Sequence, residues 1–152
     1  MLVVWATTIA GSAGALMAQA LLIPGGLALP SPGRAALAAA LVAGGALLRW
    51  WAILTLGRLF TVDVAVQQKH RVVRTGPYRL VRHPAYAGLL LSLLGIGVAL
   101  GSWQAPPLLL LPALGGLLYR IGVEERALLR GLGDDYAAYR RTVRFRLVPF
   151  VL

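Results

Sequence analysis

The side chains best suited to chemistry lie in residues 76–88, which read Gly-Pro-Tyr-Arg-Leu-Val-Arg-His-Pro-Ala-Tyr-Ala-Gly. His83 offers an imidazole, and Tyr78 and Tyr86 offer rings that stack on a planar ligand and hydroxyls that donate hydrogen bonds. Pro84 is predicted to begin a helix with His83 at its N-cap, because proline is tolerated at the first helical position. Free backbone N–H groups at such a helix start attract anions. The segment therefore offers an imidazole, two aromatic rings and an anion site.

A second pair of charged residues, Arg120 and Glu124, lies four positions apart and therefore shares one face of a predicted helix. A carboxylate there can hold a cationic ligand, and a guanidinium can hold an anionic one. A structural interpretation also fits both segments. Tyr and Arg side chains anchor helices at a membrane interface, and a surface pair at this spacing contributes only about 0.3–0.5 kcal/mol. The residue types alone leave both interpretations open.

The composition indicates an integral membrane protein. Of the 152 residues, 59% are hydrophobic and 13% are charged, whereas soluble chains are about 45–50% apolar and about 25% charged. The absence of cysteine excludes disulfides and thiolate metal sites, and we predict no metal ion. The net charge of +10 suggests nucleic acid, but the basic residues flank apolar runs. We therefore predict contact with membrane lipids, anionic ones in particular, and no nucleic-acid partner.

We predict an all-α membrane protein of about four transmembrane helices, which form a single domain over residues 1–152. Apolar runs of about 20 residues are long enough to cross a bilayer as helices, and clusters of Pro and Gly separate them. The predicted spans are 2–23, 35–56, 84–101 and 106–122, with a loop at 57–83 and a tail at 123–152. The first span resembles a signal peptide at Ala18-Gln19-Ala20, but it lacks a basic start and is too long, which favours a retained span.

The distribution of positive charge predicts the orientation. Arg34 lies in a predicted outside loop and Arg49 lies within a span, whereas the other thirteen Lys and Arg residues lie in the loop or at and after the end of the fourth span. The positive-inside rule then places the loop, the tail and the N-terminus on the cytoplasmic face, of the inner or plasma membrane if the source is bacterial. His83 and Glu124 would share that face. Arg49 itself either snorkels to the interface or faces a polar cavity.

Three further patterns predict local structure. Gly95, Gly97 and Gly101 suggest close helix packing, and Gly97 and Gly101 have the GxxxG spacing. Asp134 is a candidate N-cap for a short amphipathic helix in the tail. The chain end is apolar and either enters lipid or covers the site. The residues that carry the last two patterns are Tyr136, Tyr139 and Val143 in the helix, and Phe145, Leu147, Val148 and Phe150 at the end.

As an ordered set, these segments resemble the isoprenylcysteine carboxyl methyltransferase family, a branch of the membrane methyltransferases that also includes phospholipid N-methyltransferases. The resemblance runs from about Arg49 to Phe150. Each segment alone is a weak match, but their order is specific. The matching segments are 49–57, 76–88, Glu124-Glu125-x-x-Leu128, and Gly133-x-x-Tyr136-x-x-Tyr139 followed by Pro149.

The resemblance implies S-adenosylmethionine as methyl donor, bound at the cytoplasmic ends of the helices. Arg120 falls where the family places a residue for the acceptor carboxylate, and catalytic roles are expected for Arg120, Glu124 and His83. The cofactor contacts implied by the resemblance are His70, Arg71, Val72, Val73, Tyr78, His83, Pro84, Ala85, Tyr86 and Glu124.

The implied activity is methylation of the carboxylate of an amphiphilic, isoprenylcysteine-like acceptor. A carboxylate that attacks a sulfonium methyl group needs no general base, so the protein mainly aligns the two partners and excludes water. Two alternatives stay open. One is methylation of an amine or hydroxyl of a phospholipid or other lipid, where His83 or Glu124 helps to remove a proton. The other is a non-catalytic membrane scaffold whose basic face binds anionic lipid.

Overall fold

The structure, a computed structural model, describes residues 31–57 and 72–149. This part of the chain contains no strand, in agreement with the predicted all-α class. The predicted first span lies outside the described residues, as do residues 58–71 of the loop. The described elements are α1 (Ser31–Leu56), a 3₁₀ turn (Gly76–Arg79), α2 (Pro84–Ala99), α3 (Ala105–Leu132) and α4 (Asp134–Thr142).

Two of the described helices, α1 and α3, are long and apolar enough to cross a membrane. Helix α2 is also apolar but has 16 residues. The predicted second and third spans fall on α1 and α2, and the predicted fourth span falls on the first part of α3. The uncharged part of α3 ends at Tyr119, and the charged turns beyond it continue to Leu132. These charged turns carry half of the candidate site.

Glycines bring α1 and α2 into backbone contact. A Cβ atom on Gly45 would lie 2.5 Å from the carbonyl oxygen of Gly88, and one on Gly88 would lie 2.5 Å from that of Gly45. A Cβ on Gly95 would lie 2.8 Å from the carbonyl oxygen of Ala38. These separations leave no room for any side chain. The start of α2 is therefore held against the last turns of α1.

The prediction of close helix packing is confirmed for Gly95, as described above, and for Gly97, but it is wrong for Gly101. A Cβ on Gly97 would lie 2.7 Å from the Cα atom of Pro106 in α3, so Gly97 allows these helices to approach. Gly101 lies beyond the end of α2, with a φ of +74°. This left-handed conformation favours glycine, and the residue reverses the chain between the two helices.

Helix α4 folds back on the end of α3. Gly133, with a φ of +51°, separates the two helices and takes the N-cap position. The prediction of Asp134 as N-cap is therefore wrong by one residue, because Asp134 is already helical. The predicted apolar face is confirmed: Tyr136, Tyr139 and Val143 are buried together, and Val72, Leu128, Leu129 and Leu132 pack against them.

Residues 143–149, which we call the C-terminal strap, return to the start of α2. The carbonyl oxygens of Phe145 and Arg146 accept hydrogen bonds from the backbone N–H groups of Arg82 and His83, both at 2.9 Å. Leu147 is buried. Of the two arrangements predicted for this apolar end, the structure favours the one that covers residues 76–88. Phe150 lies outside the described residues.

Candidate active site

The 76–88 segment is held between α1 and α4. Gly76 has a φ of +57°, and a Cβ there would lie 2.9 Å from Oγ1 of Thr55 in α1. The hydroxyl of Tyr139 in α4 donates to the carbonyl oxygen of Tyr78 at 2.8 Å. The Tyr78 side chain is buried against α1 and the start of α2. These contacts on both sides fix the segment that leads into α2.

Four side chains, which we call the rim group, join the start of α2 to the charged end of α3: His83, Tyr86, Arg120 and Glu124. The Tyr86 hydroxyl donates to Oε2 of Glu124 at 2.9 Å and accepts from Nε of Arg120 at 2.7 Å. The His83 ring stacks on Tyr86, with ring centroids 5.7 Å apart. Tyr86 therefore bridges the two residues that were predicted to share a helix face. The group presents a carboxylate, a phenol, an imidazole and a guanidinium together.

Behind the rim group lies a buried ion-pair network, the Glu125 network, formed by Glu125, Arg82, His83 and Arg146. Oε1 of Glu125 accepts from Nε of Arg82 at 2.8 Å and lies 3.4 Å from Nε2 of His83. Oε2 accepts from Nη2 of Arg146 at 3.1 Å. Glu125 is only 3% exposed. His83 belongs to both sets and so connects the network to the rim group.

The Glu125 carboxylate is charged at neutral pH. Burial disfavours its ionised form, but hydrogen bonds from His83 and Arg82 outweigh burial and lower the pKa of Glu125 to about 2. Arg82 also donates through Nη1 to the carbonyl oxygens of Val143 at 2.8 Å and Arg144 at 2.6 Å. The network thereby ties the strap to α3 and to the residues that precede α2.

The remaining predicted site residues lie around this centre. Burial, together with the charge of Glu124, raises the pKa of Tyr78 well above its usual range, so its hydroxyl remains a proton donor. Val73 packs against the cluster that contains Tyr78, and Val72 packs against the tyrosines of α4. Pro84 and Ala85 are buried in the first turn of α2. His70 and Arg71 lie outside the described residues.

Arg49 turns towards α2. Its Nη1 donates to the carbonyl oxygen of Ala85 at 3.1 Å, and its side chain is half-buried. The neighbouring Trp50 and Trp51 are exposed. The guanidinium of Arg49 therefore holds the first turn of α2, a contact that neither of the two predicted interpretations specified.

The anion site predicted at the start of α2 is wrong for three of its backbone donors. The N–H of His83 donates to Arg146, and the N–H groups of Tyr86 and Ala87 donate to the carbonyl oxygen of His83 at 3.1 Å. The strap therefore provides the acceptor for the His83 amide, and the backbone of the helix start itself provides the acceptor for the other two. The same part of the chain, 31–57 and 72–149, holds no cluster of three or more His, Cys, Asp or Glu side chains placed to bind a metal ion.

Sequence reasoning missed the Glu125 network, although the helical pattern contains a signal for it. Glu125 follows Leu117 and Ile121 at intervals of four, and both of those residues are fully buried. A charge in the buried stripe of a helix needs a partner of opposite charge. This pattern indicates a buried ion pair at Glu125 but does not identify Arg82 or Arg146, which come from distant segments.

Comparison with known proteins identifies related sequences. The sequence model of the isoprenylcysteine carboxyl methyltransferase (ICMT) family matches residues 37–130. The chain is 32% identical over 109 residues to a probable protein-S-isoprenylcysteine O-methyltransferase of Oryza sativa subsp. indica, covering 70% of this chain and 56% of that protein. It is 35% identical over 101 residues to the protein-S-isoprenylcysteine O-methyltransferase of Schizosaccharomyces pombe, covering 65% and 43%. The chain spans about half the length of these curated relatives.

A solved structure shows the same fold. The eukaryotic intramembrane Ras methyltransferase ICMT superimposes with a TM-score of 0.69 at 23% sequence identity. The match covers 95% of this chain and 51% of that chain. The helical arrangement is therefore that of an ICMT-like membrane protein.

Proposed function

Because this chain belongs to the isoprenylcysteine carboxyl methyltransferase family, we propose that it is a membrane methyltransferase that uses S-adenosylmethionine. Its acceptor is the carboxylate of an amphiphilic molecule of the isoprenylcysteine type, the class that the names of its relatives specify. The observation that carries this proposal is the rim group. There the Tyr86 hydroxyl contacts both Glu124 and Arg120, two residues that the family resemblance assigns to cofactor and acceptor.

The proposed topology has four spans, with the loop and the tail on the cytoplasmic face. The length and apolar character of α1 and α3 support this topology, as does the concentration of Lys and Arg in the loop and tail. The rim group then lies at the cytoplasmic ends of α2 and α3, where both a soluble cofactor and a lipid-embedded acceptor can reach it.

The donor set of the rim group fits S-adenosylmethionine, which carries a sulfonium cation and an ammonium group. The side chain of Glu124 is 32% exposed and accepts one hydrogen bond from Tyr86, which leaves acceptor capacity for a cationic ligand. Tyr78 and Tyr86 add aromatic surface. The residues proposed to hold the cofactor are His70, Arg71, Val72, Val73, Tyr78, His83, Pro84, Ala85, Tyr86 and Glu124.

The cofactor supplies an activated methyl group on its sulfonium, so the residues of the chain need only align and desolvate the acceptor. We assign the acceptor carboxylate to Arg120. Its Nε donates to Tyr86, which orients the planar guanidinium, and a guanidinium matches a carboxylate with two parallel hydrogen bonds. His83, stacked on Tyr86, keeps that ring in place. No proton has to be removed from a carboxylate acceptor, so neither His83 nor Glu124 has to act as a base in this reaction.

The test of this proposal is titration calorimetry of S-adenosylmethionine with the full chain in detergent. Glu124→Gln should weaken cofactor binding about tenfold, as expected for a lost charge-assisted contact of about 1.4 kcal/mol. The matched control is Asp134→Asn, an exposed carboxylate at the start of α4. Unchanged affinity in Glu124→Gln would remove Glu124 from the cofactor site.

The acceptor role of Arg120 is tested by turnover of a prenylcysteine analogue. Arg120→Ala should keep its affinity for S-adenosylmethionine and lose methyl transfer, and the reverse pattern would refute the assignment. Radiolabelled products from membrane extracts separate the acceptor classes, because methyl esters hydrolyse in mild base and N-methyl groups do not. A wild-type chain that binds no cofactor would instead support the membrane scaffold.

A further inference from the structure

A basic cavity lies between α3, α4 and the strap, and none of its lining residues has a role in the proposed methyl transfer. Its volume is about 380 Å³, within the range of about 300–1,000 Å³ that is usual for small-molecule sites. Four of its six lining residues are arginines. The lining residues are Arg82, Leu129, Ala137, Arg140, Arg141 and Arg144.

The charges around this cavity are unequally compensated. Arg82 is paired with Glu125. Arg140, Arg141 and Arg144 form no ion pair with any acidic side chain in the described part of the chain, where every ion pair involves Glu124 or Glu125. Three positive charges therefore lie around one opening without an acidic partner in this part of the chain, and a bound anion would reduce their mutual repulsion.

The position of Arg140 and Arg141 in the last turn of α4 has a second explanation, since cations there interact favourably with the helix dipole. That explanation does not extend to Arg144, which lies beyond the helix in the strap. It also does not explain why three guanidinium groups line the same concave surface.

We propose that this cavity binds the phosphate group of an anionic ligand. Guanidinium groups match phosphate oxygens with paired hydrogen bonds, and clusters of arginine are a common means of phosphate recognition. Leu129 and Ala137 give the cavity an apolar wall against which the ester or acyl part of such a ligand can pack. The phosphate comes either from a lipid headgroup or from a soluble phosphate.

Occupancy of this site would stabilise the strap. Arg144 lines the cavity, its carbonyl oxygen accepts a hydrogen bond from Arg82, and Arg82 is itself held by Glu125. A ligand that bridges these residues binds the folded chain alone, so it should raise the unfolding temperature in a saturable manner.

The experiment measures thermal unfolding of the full chain in detergent at constant ionic strength. In one set of samples inorganic phosphate is added in increasing concentration. In the other set phosphatidic acid is added in mixed micelles, and phosphatidylcholine is the comparison lipid. The double variant Arg141→Gln/Arg144→Gln should need at least tenfold more ligand for the same stabilisation. The matched control, Arg126→Gln/Arg130→Gln, removes two exposed positive charges of α3 and should behave like the wild type.

Stabilisation by both probes would assign the site to phosphate groups in general, and stabilisation by phosphatidic acid alone would assign it to a lipid headgroup. Equal weakening in both double variants would overturn the proposal, because diffuse charge would then explain binding. The proposal would also be overturned if neither probe stabilised the wild type in a saturable manner.

If the double variant does not fold, the single variant Arg144→Gln replaces it, because this variant keeps the backbone contact to Arg82. Affinity for S-adenosylmethionine, measured on the same samples, reports separately on the proposed methyl transfer.

Discussion

Two adjacent glutamates near the end of α3 lie in opposite environments. The Glu125 side chain is 4% exposed and contacts two guanidinium groups and an imidazole. The Glu124 side chain is 32% exposed and accepts a hydrogen bond from a phenol. Successive residues of a helix point about 100° apart, which turns Glu125 into the buried stripe and Glu124 towards the rim group. Two identical carboxylates one position apart can therefore differ in role: Glu125 stabilises the fold, and Glu124 is available to a ligand.

The difference also shows how the site is held together. Glu125 joins three segments that are distant in sequence: the residue before α2, the end of α3 and the strap. Glu124 belongs to the rim group, whose other members come from α2, from α3 and from the residue before α2. Substitution of Glu125 should therefore unfold the site, and substitution of Glu124 should leave a folded site with altered binding.

The largest predicted effect is that of Glu125→Ala on stability. Removal of the carboxylate leaves the buried guanidinium of Arg82 without its charged partner, which typically costs about 3–5 kcal/mol. For a chain of this size that loss should lower the unfolding temperature by about 10 °C, at roughly 2–4 °C per kcal/mol. Circular dichroism during thermal unfolding in detergent measures it.

Glu124→Ala is the matched control for this prediction. It removes a partly exposed carboxylate and one hydrogen bond, which should cost about 1 kcal/mol or less. Equal losses of stability in the two variants would contradict the division of roles between these neighbours.

The second effect is the pH dependence that Glu125 gives to stability. Its pKa is lowered from the ordinary value of 4.5 to about 2 in the folded chain. The carboxylate therefore contributes stability at pH values above about 4.5, and this contribution is lost as the pH falls through about 2. A lowering of the pKa from 4.5 to about 2 corresponds to a contribution of about 3 kcal/mol.

The measurement compares wild type with Glu125→Gln, which cannot ionise, by chemical unfolding in detergent between pH 7 and pH 2. The wild type should be the more stable at pH 7, and the gap should narrow as the solution is acidified. A gap that stays constant down to pH 2 would show that the charge of Glu125 is not what holds Arg82.

The sequence predicts several helix ends but not the different environments of Glu124 and Glu125. The helix starts at Pro84 and near Pro106, and the break at Gly133, follow from the conformational preferences of proline and glycine. The meeting of His83 with Glu124 was expected from charge distribution and motif order. The strap was harder to place, because its return depends on two backbone hydrogen bonds and on contacts between distant segments. Nothing local distinguishes Glu125 from Glu124 except helical periodicity, and the partners of Glu125 appear only once the strap is in place.

The third effect belongs to the rim group. Tyr86→Phe removes the hydroxyl that links Arg120 to Glu124, so the guanidinium loses its hydrogen bond to this ring. We expect kcat/KM for a prenylcysteine analogue to fall about tenfold, equivalent to about 1.4 kcal/mol. The unfolding temperature should change by only a few degrees.

Tyr119→Phe, which alters an exposed tyrosine of α3, is the control for this variant and should keep full activity. Steady-state kinetics with varied acceptor at saturating cofactor test the pair. A large fall in the unfolding temperature of Tyr86→Phe would instead assign Tyr86 to the architecture with Glu125.

The smallest effect is expected at the exposed end of the Glu125 network. The Arg146 side chain is 40% exposed and contacts Oε2 of Glu125 at 3.1 Å, so solvent screens the pair and its loss should cost about 0.5–1 kcal/mol. The backbone carbonyl of Arg146 still accepts from His83 in Arg146→Ala, which leaves the strap attached. The measurement compares the unfolding temperatures of Arg146→Ala, Glu125→Ala and the exposed control Arg126→Ala. A loss as large as that of Glu125→Ala would mean that the strap is held mainly by the Arg146 side chain, and that the buried pair with Arg82 is not the dominant contact.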